Sequence, residues 1–357
     1  MAGVGPGGPE DSASPSLADL GEWELIRRLA AFAPPGALDD DAALLGEGPG
    51  TLVVNTDVLV EGVHFSDATT AAADVGWRAA AANLSDLAAM GCTEVVGLTV
   101  GLVAPAATPW SWVEGVYGGF GEALDRYGGS LLGGDCSSGA QRLLAITALG
   151  RLARDGGPIR RRDGRPGDWL VSTGPHGLSR LGLALLQEPA GVAATGSATR
   201  LAASLAPGLA ERAIAAHQRP LPRFDAVRAL IASRPAGVAW RVGGCDSSDG
   251  LAAAVRAIAT TSGCAARLER GALPLDPAMD ALPEAEAWCL GGGEDFELVL
   301  ALAPAWAAAL TAALPGAVRI GELEGGIGGE LGWSDGGAWS LGNQRDGSAT
   351  CGYRHFN

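Results

Sequence analysis

The segment that is most informative about the architecture of this chain is DVGWRAAAANLSDLAAMG, at residues 74–91. Its alanine and leucine residues favour a helix, and the pattern predicts one over Asp74–Met90. Asn83 and Asp86 lie three positions apart late in this helix and therefore share one face. Taken alone, such a polar pair is more often structural than functional, so its meaning depends on the segments around it.

Short apolar runs and further alanine-rich segments lie on both sides of this helix. The first half predicts strands at Thr51–Thr56, Val95–Val103, Leu131–Leu132 and Leu143–Leu152, the last two around a glycine turn, and a helix at Pro109–Tyr127. The second half predicts strands at Trp169–Ser172, Val238–Val242, Ala265–Leu268, Phe296–Ala301 and Val318–Leu323, helices at Leu178–Leu186, Gly250–Thr260 and Pro304–Leu314, and a long Ala-rich helical region to about Ser233. This alternation indicates an α/β or α+β chain.

Composition limits the chemistry that this chain performs. Its 357 residues suffice for two packed domains. The 40 acidic residues exceed the 25 basic ones and give a formal net charge of −15, which disfavours nucleic acid and anionic membranes as partners. The sequence contains no lysine, so it has neither a Walker-A lysine nor a lysine for a Schiff base. Any phosphate must therefore be bound by arginine, backbone N–H groups or metal ions.

The domain organisation follows from two changes in composition. Residues 1–16 are rich in Gly, Pro and Ser without the pattern of a signal peptide, and they predict a disordered tail. The run RRRDGRPG at residues 160–167 predicts a domain boundary. We expect an N-terminal domain over residues 17–153 and a C-terminal domain over residues 154–357. The six cysteines include no C-x-x-C pair, which indicates reduced thiols in the cytosol rather than a disulfide framework.

Polar clusters recur at the ends of the apolar runs. They are Asp39–Asp41, Asn55–Asp57, Asn83–Asp86, Gly133–Asp135, Asp246–Asp249 and Gly291–Asp295. Each has an ordinary explanation as a helix cap or a turn, but their repetition favours a shared site. Mg²⁺ prefers carboxylate oxygens together with substrate phosphates, whereas zinc prefers His and Cys ligands. The clusters therefore suggest a magnesium and polyphosphate site.

Three other features are most simply structural when each is taken alone. A lone His64 is more often packed than functional, and the arginine run at Arg160–Arg165 is by default a solvated loop. Tyr117 is most simply a core residue, with nucleotide stacking as the minority interpretation.

Taken in order, these segments resemble the thiamine-monophosphate kinase family, within the superfamily that includes aminoimidazole ribonucleotide synthetase. The matching segments are Asp40–Leu45, Asn55–Phe65, Asn83–Gly91, Gly133–Asp135, Arg165–Trp169, Ser248–Leu251 and Gly292–Leu298. The segment Asn83–Gly91 and the His64–Phe65 ending are the most specific of them. The chain departs from the family pattern at Asp39, at Cys136, in the loop before Leu178, and at Arg354.

The resemblance implies a two-domain α/β (α+β) fold of the aminoimidazole ribonucleotide synthetase type, in a cytoplasmic homodimer whose N-terminal sheets pair across the dimer. It implies that ATP phosphorylates thiamine monophosphate to thiamine diphosphate by direct in-line transfer, without a phosphoenzyme. Several Mg²⁺ ions would neutralise the two anionic oxygens between which the phosphoryl group moves.

The resemblance also implies roles for residues at the motif positions. The metal ligands would be Asp41, Asn55, Thr56, Asp57, Asp86, Asp135, Asp246 and Asp249, of which Asp41, Asp57, Asp86 and Asp249 would be catalytic. The ATP contacts would be Gly134, Asp135, Arg161, Ser248 and Tyr117. The substrate contacts would be His64, Glu294 and Tyr353.

Two alternatives remain open at this point. The first is another ATP-dependent enzyme of the same superfamily, although selenophosphate synthetase-like chemistry would need a reactive N-terminal Cys or Sec and a Lys, which this chain lacks. The second is a non-catalytic scaffold that binds nucleotide or Mg²⁺. Retention of every acidic motif argues against the scaffold.

Overall fold

The computed structural model describes residues 17–187 and 205–337, except for the single positions 34, 37, 47 and 49. The predicted tail at residues 1–16 and the site residue Tyr353 lie outside the described residues. One compact unit contains helix α1 (Leu17–Leu29) and a 3₁₀ turn (Ala30–Phe32). All other elements belong to a second unit that begins at Asp39.

A five-stranded sheet forms the first half of the second unit. Its strands are β1 (Ala43–Leu45), β2 (Leu52–Val60), β3 (Cys92–Ala104), β4 (Ser130–Ser138) and β5 (Leu143–Leu152), in the order β1-β2-β5-β3-β4. The pair β3–β4 is parallel, and the other pairs are antiparallel. Along β5, every second residue is buried, as expected for a strand with one face on the core. The order makes β4 one edge of the sheet.

Two helices, α2 (Ala72–Ala89) and α3 (Trp110–Tyr127), accompany this sheet and pack against each other. Glycines allow the close contact between them. A Cβ atom at Gly76 would lie 1.9 Å from the carbonyl oxygen of Val116, and one at Gly119 would lie 1.9 Å from that of Ala73. Because the backbones touch at these two points, the position of α2 is fixed relative to α3.

A six-stranded sheet forms the second half. Its strands are β6 (Trp169–Ser172), β7 (Gly243–Asp246), β8 (Cys264–Leu268), β9 (Leu298–Leu302), β10 (Val318–Gly325) and β11 (Leu331–Trp333), in the order β11-β8-β10-β6-β9-β7. The pair β11–β8 is parallel, and the other pairs are antiparallel. The helices are α4 (Leu178–Leu186), α5 (Leu209–Gln218), α6 (Phe224–Ala232), α7 (Leu251–Thr261), α8 (Ala285–Gly291) and α9 (Pro304–Ala313).

These sheets and helices confirm the predicted mixed α/β class, and most predicted elements lie within two residues of their observed bounds. The predicted strand Val238–Val242 was wrong, since the strand is β7, at Gly243–Asp246. Trp240 instead packs edge-on against Trp306, with ring centroids 5.5 Å apart. The small residue Gly243 fits the sheet, where a Cβ would lie only 2.7 Å from the Gly164 nitrogen.

The glycine turn predicted after Leu132 was also wrong, because β4 continues through Gly133 and Gly134 to Ser138. A Cβ at Gly134 would lie 1.9 Å from the carbonyl oxygen of Val100 on β3. Glycine is therefore needed at this point to let β4 lie beside β3, rather than to turn the chain.

The predicted Ala-rich helical region contains two separate helices, α5 and α6, with Pro220 and Pro222 between them. Residues 188–204 of that region lie outside the described residues. Helices α1 and α8 and the three-residue strands β1 and β11 were not predicted. Among the described residues, no helix combines the length and the apolarity needed to cross a bilayer.

A buried histidine gives the fold a measurable dependence on pH. His176 is fully buried, and its Nε2 atom has no hydrogen-bond partner. Burial lowers the pKa of His176 from 6.5 to about 4. As pH falls below 6.5, the unfolded chain therefore binds a proton at this position before the folded protein does, and folding becomes less favourable.

Between pH 7 and pH 5, we expect the free energy of unfolding of the wild type to fall by about 2 kcal/mol more than that of His176→Gln. Urea unfolding of both proteins at the two pH values measures this change. Both proteins contain the same carboxyl groups, so the contributions of these groups to the pH dependence cancel when the two proteins are compared. A difference that stays constant would mean that His176 is not held neutral by burial.

Candidate active site

Three carboxylates from distant parts of the second unit come together in the structure. They are Asp41, which precedes β1, Asp86 in the last turn of α2, and Asp246 at the end of β7. One oxygen atom of each lies within 4.8 Å of the corresponding atoms of the other two. Three of the predicted metal ligands thus form one group, which we call the carboxylate cluster.

Burial and mutual repulsion disfavour the charged forms of this cluster. Burial raises the pKa of Asp41 to about 7, and the charge of Asp246 adds to the shift while Arg161 opposes it. Burial is also the largest cause of the raised pKa of Asp86, and the charges of Asp57, Asp246 and Asp41 raise it further. A hydrogen bond from Asn55 opposes this shift. A bound cation would reverse both shifts.

The donor atoms of the cluster fit a magnesium ion. The Oδ2 atom of Asp41 and the Oδ1 atom of Asn55 are buried and accept no hydrogen bond. Buried oxygens without partners are costly unless another group satisfies them. Carboxylate and amide oxygens without His or Cys are the donor set that Mg²⁺ prefers. The residues present therefore fit this ion.

An amide pair fixes one side of the cluster. The Asn55 Nδ2 atom donates to Asp86 Oδ2 at 2.7 Å and to Asn83 Oδ1 at 3.2 Å. Asn83 Oδ1 also accepts from the backbone N–H of Asp57 at 3.1 Å, and its own Nδ2 donates to the Ala79 carbonyl at 2.9 Å. Asn83 therefore holds β2 against α2, which orients the free oxygen of Asn55.

Two serine hydroxyls hold Asp246 in place. Ser85 Oγ donates to Asp246 Oδ2 at 2.6 Å, and Ser248 Oγ donates to Asp246 Oδ1 at 2.9 Å. Ser85 lies on α2, whereas Asp246 and Ser248 lie at the end of β7 and just after it. The bond from Ser85 joins the helix of the first sheet to a strand of the second.

Arg161 is the cation beside the cluster. Its guanidinium donates to Asp41 Oδ1, and its backbone N–H donates to Asp40 Oδ1 at 2.8 Å. The charge of Asp41 is the main reason that the pKa of Arg161 is raised above its ordinary value. Burial raises the pKa of Asp40. In this structure the predicted ATP contact therefore neutralises a predicted metal ligand.

The other predicted ligands are not among the three members of the cluster. Asp57 follows Asn55 by two residues on β2, and its charge contributes to the pKa shift of Asp86. The intervening residue, Thr56, points to the other face, where its hydroxyl is 2.8 Å from that of Thr147. Asp249 follows β7 by three residues. The roles of these residues as ligands remain predictions.

The predicted nucleotide contacts Gly134 and Asp135 lie on the exposed edge strand β4. Tyr117 lies half-buried on α3, where its ring packs edge-on against Phe120 at 5.7 Å between centroids. Burial raises the pKa of Tyr117, and the neighbouring Cys136 adds to the shift. Tyr117 thus lies near the residue that follows Asp135.

His64 and Glu294, both predicted to bind substrate, are brought together by Arg78. The Arg78 Nη2 atom lies 2.6 Å from Glu294 Oε1 and 3.4 Å from the carbonyl oxygen of His64. His64 Nδ1 accepts the backbone N–H of Val60 at 3.0 Å, which orients its ring. Sequence reasoning missed Arg78, because a single arginine in an alanine-rich helix has no distinguishing pattern.

Glu294 lies in a strained loop between α8 and β9. It adopts a left-handed conformation with φ +57°, and Phe296 does so with φ +52°. Such conformations are uncommon for residues other than glycine and persist where the surroundings impose them. The Glu294 N–H donates to the Ser248 carbonyl at 2.7 Å, while Asp295 accepts the N–H groups of Gly177 and Ser179 at 2.7 and 3.0 Å. Burial raises the pKa of Asp295 to about 7.

The chain matches known proteins in both sequence and fold. The family model of the AIR synthase related protein N-terminal domain matches residues 39–152, and that of the C-terminal domain matches residues 165–334. A solved structure of AaThiL complexed with AMPPCP and TMP superposes with a TM-score of 0.76 at 27% identity, covering 92% of this chain and 98% of that one.

Curated relatives give a narrower assignment. The thiamine-monophosphate kinase of Prochlorococcus marinus is 45% identical over 330 residues, which are 92% of this chain and 95% of the relative. The thiamine-monophosphate kinase of Synechococcus elongatus is 49% identical over 296 residues, which are 83% and 86% of the two chains. With this identity over most of its length, the chain belongs to the thiamine-monophosphate kinase family, within the AIR synthase related proteins.

Proposed function

We propose that this chain is a kinase that transfers the γ-phosphoryl group of ATP directly to the phosphate of thiamine monophosphate, giving thiamine diphosphate and ADP. The observation that carries the proposal is the buried carboxylate cluster, in a chain whose curated relatives are thiamine-monophosphate kinases. The similar structure of AaThiL complexed with AMPPCP and TMP supports both substrates. The alternatives of another superfamily activity or a scaffold are not favoured.

The chemistry needs neutralisation of charge more than a general base. The attacking oxygen and the leaving oxygen both belong to phosphates, so neither must lose a proton to react. When bound, Mg²⁺ ions neutralise and orient these phosphates. The residues that would hold them are Asp41, Asn55, Thr56, Asp57, Asp86, Asp135, Asp246 and Asp249. Asp41, Asp57, Asp86 and Asp249 are the ones to which we assign catalysis.

The side chains of this protein position the two substrates. Arg161 is placed beside the cluster, where its planar guanidinium suits a phosphate of ATP. Gly134, Asp135, Ser248 and Tyr117 complete the proposed nucleotide contacts. We assign the acceptor to His64 and Glu294, together with Tyr353, which lies outside the described residues.

A direct assay tests the proposal. The purified chain with Mg²⁺ and ATP is offered thiamine monophosphate or free thiamine in separate reactions, and thiamine diphosphate and ADP are quantified by chromatography. Equimolar thiamine diphosphate and ADP from the monophosphate alone is the expected result. ADP without thiamine diphosphate, or no turnover, would remove the substrate assignment.

We further propose a cytoplasmic location and an N-terminal domain over residues 17–153 followed by a C-terminal domain over residues 154–357. The location is supported by the need for ATP and by the free thiols of Cys92, Cys136, Cys245, Cys264 and Cys289. The boundary is supported by the gap between the two matched family models, at residues 153–164.

The proposed homodimer is supported by the edge strand β4. All nine of its residues are exposed, including Leu131 and Leu132, which are 45% and 51% exposed. An open edge strand with exposed leucines is a template for pairing with a second sheet. Pairing through β4 would join the N-terminal sheets of two subunits.

We expect the wild type to have twice the chain mass of 35.8 kDa in solution, and Leu132→Asp to have the mass of one chain. A charge at this position would be buried without a partner in the pair of sheets, which is strongly unfavourable. Light scattering coupled to size exclusion measures both masses. Val318→Asp, at a strand position of the second sheet that is 37% exposed, is the matched control and should remain dimeric. A dimeric Leu132→Asp would exclude this interface.

A further inference from the structure

The guanidinium of Arg78 is a buried charge that has no assigned role in the proposed reaction. Its side chain is only 4% exposed. Arg78 lies in α2, eight residues before Asp86, so the two positions are about 12 Å apart along the helix axis. One helix therefore carries a member of the carboxylate cluster in its last turn and this arginine about two turns earlier.

Arg78 contacts three chain segments that are far apart in sequence. Its Nη2 atom donates to Glu294 Oε1 at 2.6 Å and to the His64 carbonyl at 3.4 Å. Its Nη1 atom donates to the carbonyl of His217, in the last turn of α5. The loop after β2, the loop before β9 and the end of α5 are thus all attached to one point on α2.

The contact with Glu294 is an ion pair whose other side is open. The Glu294 side chain is 34% exposed, so part of its carboxylate faces solvent. His217 Nδ1 lies 3.6 Å from Glu294 Oε2, but burial lowers the pKa of His217 to about 4, so His217 is neutral at pH 7. Arg78 therefore supplies the charge that holds the carboxylate in place.

We propose that Arg78 is a positioning residue for the acceptor. It holds the Glu294 carboxylate and the His64 loop at a fixed position relative to α2, and so at a fixed distance from Asp86 and the carboxylate cluster. The acceptor's affinity then depends on Arg78, whereas the binding of ATP does not. This inference rests on the proposed function, because it assigns Glu294 and His64 to thiamine monophosphate.

Steady-state kinetics of the purified full-length protein with Mg²⁺ test the proposal. We expect Arg78→Met to raise KM for thiamine monophosphate by about 10- to 100-fold, the scale of a misplaced binding group, and to leave KM for ATP within about twofold. Arg78→Lys should restore KM for thiamine monophosphate to within about threefold of the wild type. The contact with Glu294 is made by a single nitrogen, so a lysine ammonium can replace it.

A double-mutant cycle separates positioning from general damage. If Arg78 acts through Glu294, Arg78→Met combined with Glu294→Gln should raise KM for thiamine monophosphate no further than Glu294→Gln alone. Arg219→Met is the matched control, because Arg219 pairs at 2.5 Å with Asp74 on the same helix but does not contact Glu294. It should change neither KM.

Several outcomes would overturn the inference. One is an unchanged KM for thiamine monophosphate in Arg78→Met, and another is an equal rise in the KM values for thiamine monophosphate and ATP. The third is a double variant whose rise in KM for thiamine monophosphate is the product of the rises in Arg78→Met and Glu294→Gln. Should Arg78→Met fail to fold, Arg78→Gln carries the same test, because its amide is polar but uncharged and its side chain is too short to take over the contact with Glu294. A wild type that forms no thiamine diphosphate would instead contradict the proposed function, and this inference with it.

Discussion

Asp86→Asn is expected to lower turnover by about 10³-fold or more, while the metal-free protein becomes more stable than the wild type at pH 8. Removing a ligand of a phosphate-neutralising metal sacrifices several kcal/mol of transition-state stabilisation, and each 1.36 kcal/mol is a tenfold change in rate. Stability changes in the opposite direction. Burial and the charges of Asp57, Asp246 and Asp41 oppose ionisation of Asp86, and asparagine carries no charge.

The sign of this effect depends on pH. Because the pKa of Asp86 is raised in the folded protein, its contribution to stability is present at low pH and is lost as pH rises above its ordinary value of 3.8. Without metal, the wild type should therefore lose more stability than Asp86→Asn between pH 5 and pH 8.

Two measurements check this prediction. Turnover is assayed with saturating ATP and thiamine monophosphate, and unfolding is followed at both pH values with EDTA or with Mg²⁺. Asp125→Asn, which changes an exposed carboxylate on α3, is the control for loss of one negative charge. A variant that keeps its turnover, or one that Mg²⁺ stabilises as strongly as the wild type, would mean that Asp86 binds no metal.

Arg161→Gln is expected to lower kcat/KM for ATP by about 10²- to 10³-fold and also to destabilise the metal-free protein. An arginine directed at a transferred phosphate contributes on this scale or above it. The stability loss has a different origin. Without the guanidinium, the buried Asp41 loses its charged partner, which we expect to cost about 2 kcal/mol at pH 8.

Mg²⁺ should then stabilise Arg161→Gln more than it stabilises the wild type, because the metal no longer competes with a guanidinium for Asp41. Thermal unfolding with and without Mg²⁺ and without nucleotide measures this difference. The neighbouring Arg162, which is 50% exposed and lies 3.8 Å from Asp39, supplies the control Arg162→Gln. Equal stabilisation of both variants by Mg²⁺ would show that Arg161 does not compete with the metal.

Local composition and periodicity were enough to predict many of the elements. The helix expected at Asp74–Met90 is observed at Ala72–Ala89, and the strand expected at Leu143–Leu152 has those bounds. Elements that depend on contacts with distant residues were wrong or missed. Strand β4 is continuous because Gly134 fits beside Val100, and β1 and β11, with three residues each, are too short to show a period.

The same distinction applies to the site. Asp41, Asp86 and Asp246 belong to motifs that are recognisable in the sequence, and the structure brings them together. Arg78 contacts Glu294 and His217 across 216 and 139 positions of sequence, and no local pattern marks it. Ser85 lies inside the most specific motif, but its bond to Asp246 depends on the packing of α2 against β7.

The left-handed backbone at Glu294 also has a consequence for how this protein would change under artificial selection. Glycine adopts a φ of +57° without strain, and asparagine tolerates it better than glutamate does. A library screened only for heat resistance should therefore accumulate Gly or Asn at position 294. A library screened for growth that depends on this enzyme making its product should retain the acid. Comparing the residues selected at position 294 in the two libraries would show whether the strained backbone is retained because catalysis requires the glutamate.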